Sequence, residues 1–175
     1  NVVVLNPQHI NDVFLSILHI GELLDRKKEA AEVVGRMVRR LNEIKNKVKK
    51  IQNKKKVYIE IWDDPLTTCG RDSLVDEVIN YSGGINITGK LPALYPTVSQ
   101  EVIIKENPDI IILGYMSRDQ NKTMNAVLNR FGWQDIDAIK NKNVVCDITP
   151  SIFLRPGPRI VDGIEQIHNR IYGDR

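Results

Sequence analysis

Apolar residues recur at spacings of three and four through Lys27–Asn53. Ala30, Val33, Val34, Met37, Val38, Leu41, Ile44, Val48 and Ile51 fall on one side. Glu29, Glu32, Arg36, Arg39, Arg40, Glu43, Lys47 and Lys50 fill the other. That period predicts one long amphipathic helix, unbroken by proline. At a rise of about 1.5 Å per residue it spans roughly 40 Å, far beyond an ordinary helix. Ahead of it, Val2-Val3-Val4-Leu5 reads as a buried strand ended by Asn6-Pro7. A helix then runs from Gln8 or Asn11 to Leu24, with Ile10, Val13, Phe14, Ile17, Leu18 and Gly21 on its apolar side.

Behind the long helix the pattern changes. Val57–Ile61 is a strand, Asp72–Tyr81 a helix stopped by Ser82-Gly83-Gly84, and Ser99–Glu106 a short helix. Asp109–Leu113 is continuously apolar, as in a strand covered on both faces. Helices at Thr123–Phe131 and Ile136–Ile139, a strand at Val144–Asp147 and a helix at Pro158–Tyr172 complete the chain. Such alternation predicts an α/β fold: a Rossmann-like lobe with a parallel sheet flanked by helices, preceded by the long connecting helix. The expected divisions are 1–26, 27–56 and 57–175. A strand at Val2–Leu5 needs neighbours that nothing supplies, so the chain is expected to be a fragment or a processed form. Its unpartnered surfaces are then expected to pack on a second copy, giving a homodimer.

Charge and chemistry narrow this little. The chain has 175 residues and a net charge of +3, which points to neither nucleic acid nor membrane. Lys45, Lys47, Lys49, Lys50, Lys54, Lys55 and Lys56 form a basic run. An anionic partner is one reading, but no aromatics are interleaved for base stacking. The run is therefore read as a solvated helix end with cations at its C-terminal dipole. Cys69 and Cys146 read as two separate buried thiols. His9, His19 and His168 show no ligand spacing, and no protein metal site is expected. Asp63 and Asp64 precede Pro65 and read as a turn.

Ligands of such sheets bind beyond the carboxyl ends of the strands. Those ends carry Trp62, Tyr115, Met116, Phe153 and Arg155, with Leu94-Tyr95 on the same rim. Any one of these aromatics is as well explained by packing at a strand end. Together they suggest flat apolar surfaces beside a cation.

Several stretches resemble the class III solute-binding proteins of ABC importers, which carry ferric siderophores, haem and cobalamin. They are NPQHINDVFLSILHIGELLDRKKEAAEVV, VYIEIWDDPLTTCG, DEVINYSGGINI, YPTVSQEVIIKENPDIIIL, WQDIDAIKNKNVVCD and RPGPRIVDGIEQIH, in the family's order and spacing. The resemblance implies two lobes joined by a rigid helix, of which this chain matches the helix and the second lobe. It implies a substrate-binding component with no catalytic role and no cofactor, whose ligand is an iron chelate, haem or cobalamin. It implies an ABC permease as partner and an extracytoplasmic place, periplasmic or lipid-anchored. Tyr95 then sits where the family sets an aromatic against the ligand, and Trp62 is a second cleft aromatic. Arg155 and Arg159 flank Pro158 at the start of the last helix and suit an anion, although Arg159 serves equally as a structural clamp. Glu101, in Val98-Ser99-Gln100-Glu101, is placed for permease docking; a first-turn acid stabilising its helix is the plain alternative. Two other classes stay open. An enzyme on a Rossmann-like sheet lacks a Gly-x-Gly-x-x-Gly turn after Val57–Ile61. An interaction module without a small ligand would respond to none of the three chelate classes.

Overall fold

The computed structural model describes residues 2–116 and 119–173. Its first two helices, α1 (Ile10–Leu23) and α2 (Lys27–Val48), form a hairpin. Asp25, at φ 55°, turns the chain between them. Gly21 makes the hairpin tight: a Cβ there would lie 2.3 Å from the Ala30 Cβ. Met37, Leu41 and Ile44 of α2 join Ile10 and Val13 of α1 in the main core. On the solvent side Arg40 pairs with Asp162 at 2.7 Å and Glu165 at 2.6 Å, fastening α2 to the last helix.

The long helix stops at Val48, not at Asn53. Its 22 residues span roughly 33 Å. Tight turns follow, with the Lys50 and Ile51 amides donating to the Lys47 and Val48 carbonyls. Ile51 leaves the helix because the chain must deliver Lys56 to the sheet, and it packs near Gly83 instead.

The chain continues through β1 (Lys56–Glu60), a hairpin of β2 (Trp62–Asp63) and β3 (Leu66–Thr67), α3 (Leu74–Tyr81) and β4 (Ile85–Asn86). Then come α4 (Gln100–Glu106), β5 (Ile110–Leu113), α5 (Gln120–Leu128), α6 (Asp137–Lys140), β6 (Val144–Val145), α7 (Ser151–Leu154) and α8 (Ile160–Tyr172). The sheet runs β4-β1-β5-β6, all parallel, with Val57 opposite Ile110 and Ile111 opposite Val144. Side chains alternate across it. Val57, Ile59, Ile110 and Ile112 face α2, α3 and α8. Tyr58, Ile111, Leu113 and Val144 face Ile103, Val127, Ala138 and Trp133. The expected parallel sheet with helices on both faces is present.

Val2–Leu5 is not a strand. It pairs with no other strand, and Val2 is 91% exposed. An extended apolar run becomes a strand only when it docks on a sheet edge, and Val4 and Leu5 lie beside Asp12, Leu15 and His19 of α1 instead. The last helix starts at Ile160, so Pro158 lies before its cap residue Arg159 and not in the first turn.

Candidate ligand-binding rim

Strands β1 and β5 are neighbours, with Glu60 opposite Leu113. The residues that leave them, Trp62 and Met116, therefore emerge side by side at the carboxyl edge. Trp62 lies on the β2–β3 hairpin, whose turn contains a cis Asp64-Pro65 peptide. Its indole N–H donates to the Asp64 carbonyl at 2.9 Å, and the ring is 44% exposed.

The segment carrying Tyr95 is laced to that hairpin. The Thr68 amide donates to Pro96, Val98 to Leu66 and Gly70 to Leu94, all near 3 Å. Gly70 permits this approach, since a Cβ there would sit 2.0 Å from the Ala93 carbonyl oxygen. A buried polar set holds the other end of the loop. The Asn86 amide donates to Asp76 at 2.8 Å and to the Cys69 carbonyl at 3.1 Å, and the Thr88 hydroxyl donates to the same carbonyl. Tyr95 thus stands on a fixed loop, about half-exposed. Burial of the Cys69 thiol pushes its pKa up to about 12, with the Asp76 charge adding to the rise.

Beside Met116, Arg155 is exposed, its guanidinium 3.4 Å from the sulfur. The structure therefore puts Trp62, Tyr95, Met116 and Arg155 on accessible surface at the expected edge. Phe153 is different. It is fully buried, packed among α8 residues and within reach of Gly114, so it supports the rim and offers no ligand contact. Tyr115 is also buried, its hydroxyl donating to Glu60. Arg159 caps α8 and reaches back to the Ser151 hydroxyl at 3.4 Å, the geometry of the clamp alternative. Glu101 is exposed in the first turn of α4, and hydrogen bonding from Ser99 and its own backbone holds its carboxyl below the usual range.

The sequence reading missed the group under the rim. Glu60 is fully buried and accepts two hydrogen bonds from Arg130, at 2.7 and 2.8 Å. Burial works against the Arg130 charge, but the bonds and charge of Glu60 outweigh it and raise its pKa. The guanidinium also stacks 4.2 Å from the Trp133 ring centroid. Arg130, Tyr115, Asp63 and Thr123 line a cavity of about 410 Å³. One signal was available: a carboxylate inside an otherwise apolar strand needs a buried cation. No helix among the described residues is long and apolar enough to cross a membrane.

Comparison with known proteins adds an independent line. The sequence profile of the periplasmic binding protein family matches residues 1–147. An uncharacterized ABC transporter substrate-binding lipoprotein of Bacillus subtilis is 33% identical over 172 residues, 97% of this chain and 52% of its own length. A cobalamin-binding protein of Halobacterium salinarum is 27% identical over 157 residues, 87% of this chain and 42% of its own. The crystal structure of a possible iron-binding (periplasmic solute-binding) protein from Staphylococcus epidermidis superposes with a TM-score of 0.86 at 29% identity. That match covers 98% of this chain and 66% of the other. The chain spans about half the length of the curated relatives it matches.

Proposed function

The chain belongs to the periplasmic binding protein family, and from that premise we propose that it forms one wall of a ligand cleft in an ABC importer's substrate-binding component. Its cargo is a bulky metal chelate: a ferric siderophore, haem or cobalamin. It works outside the cytoplasm, periplasmic or lipid-anchored, and hands the cargo to a membrane permease without altering it. Trp62 and Tyr95 supply flat apolar faces, and Arg155 supplies the cation for an anionic chelate. Glu101 is the docking group toward the permease, exposed and kept ionised.

The observation that supports this reading is the fixed, half-exposed pair of aromatics beyond the carboxyl ends of the strands, together with an exposed Arg155 held against Met116. A pre-shaped rim suits a family that closes little on its ligand. Titration of the intact two-lobed protein with gallium-loaded siderophores, gallium porphyrin and cobalamin tests it. Saturable quenching of Trp62 fluorescence by one class, lost in Arg155→Ala for an anionic ligand, is the expected result. Silence with all three classes refutes ligand capture and favours an interaction module.

A further inference from the structure

A basic surface at the opposite end of the lobe has no part in ligand capture. Lys45, Lys47, Lys49, Lys50 and Lys54 are exposed, and among the described residues none of them forms an ion pair. Lys55 and Lys56, by contrast, are engaged by Asp109 and the Glu106 carbonyl. Folding adds what the linear run lacks. The end of α3 comes alongside, so that Val48, Ile51 and Tyr81 floor an open groove of about 450 Å³. Lys45, Lys49 and Lys54 form its rim. Tyr81 is 37% exposed there.

Dipole compensation does not account for so much charge. Two helices, α2 and α3, end at this groove. Each helix C-terminus carries about half a negative charge, so both together offset roughly one lysine and leave about four. The ammonium groups stand on exposed stems around an apolar floor, and among the described residues no buried donor lines the groove to define a pocket for one small anion. That arrangement suits an extended anionic surface with an apolar layer beneath it, and a tyrosine is well matched to such a boundary. The groove adjoins the start of β1, whereas the rim lies beyond its end, so contact at the groove leaves the rim open to ligand and alternates with docking of the rim end on a permease.

We propose that this face rests on an anionic lipid bilayer, with the five lysines over the headgroups and Tyr81 at the interface. The inference rests on the extracytoplasmic reading only for the nearness of a membrane, and bilayer binding is read separately from chelate binding. The test is co-sedimentation with vesicles of phosphatidylglycerol and phosphatidylcholine, against vesicles of phosphatidylcholine alone. The chain is expected to partition onto the anionic vesicles and to be released as salt is raised. Joint Lys45→Gln, Lys49→Gln and Lys54→Gln substitution is expected to weaken partitioning roughly a hundredfold. Joint substitution of Lys28, Lys90 and Lys105, exposed lysines elsewhere, removes the same net charge and is expected to have little effect. Equal binding to uncharged vesicles, or equal loss in both triple variants, overturns the proposal. So does binding to soluble polyphosphate with none to the anionic vesicles, which assigns the face to a dissolved polyanion. Salt release of the wild-type chain needs no variant to fold.

Discussion

At the scale of single residues, the Glu60–Arg130 pair carries the most consequence. Removing Arg130 strands a carboxylate that has no exposed surface. Arg130→Ala is expected to cost about 3–5 kcal/mol, read from urea unfolding. A loss below about 1 kcal/mol would mean water reaches Glu60. The cysteines give a second residue-level outcome. Thiolates react and thiols do not. Cys69 is wholly buried with its pKa pushed up, whereas Cys146 is only partly covered. Iodoacetamide at mildly alkaline pH should label Cys146 first and Cys69 only on unfolding, as peptide mass analysis would show. The buried Tyr58 and Tyr115 hydroxyls are raised as well, chiefly by burial. The folded state then holds protons that the unfolded chain releases, so stability falls as pH climbs past the ordinary thiol and phenol values of 9.0 and 10.0. Glu60 was visible in the sequence as a misfit in its strand. Arg130, 70 positions away, was not, because only the fold brings the two together.

Among the elements, the loop that presents Tyr95 depends on close backbone approach. Gly70→Ala forces a Cβ against the Ala93 carbonyl, which has no flexible side chain to yield. A loss of about 1–3 kcal/mol is expected, together with altered backbone amide shifts at Leu94 and Tyr95. A neutral Gly70→Ala would show that the loop adjusts freely. Elements with a sustained period were legible from the sequence: α1, α2, β5 and α8 have apolar residues at regular spacing over several turns or a full strand. β2, β3 and β4 were not, being two residues each and too short to show a period; β2 and β3 pair with each other across a turn, and β4 pairs with β1. The end of α2 was overrun because Ile51 keeps the helical period while serving a turn. Phe153 was assigned to the rim from its place after the third strand, but it lies in α7 and its ring turns into the core; Tyr115, just past the end of β5, is largely buried yet lines the cavity beneath the rim.

For the whole molecule, α1 and α2 move with the lobe, tied by core contacts, by Arg40 and by His9 and the Ile10 amide on Glu77. The outer side of α1 leaves Leu15, Leu18, Ile20 and Leu23 exposed, with Val2–Leu5 nearby. Sedimentation velocity is expected to show a dimer of the chain, returned to monomer by Leu15→Glu with Leu23→Glu. A monomer at all concentrations removes that expectation. The central claim is that Trp62, Tyr95 and Arg155 touch one cargo, and nuclear magnetic resonance of the labelled chain reads it even where half a cleft binds weakly. With the correct diamagnetic chelate, the Trp62 indole, the Tyr95 ring and the Arg155 side chain should shift together along one saturation curve, while buried Trp133 stays still. Unmoved signals at those three residues with every chelate class, or shifts clustered at another face, would contradict it.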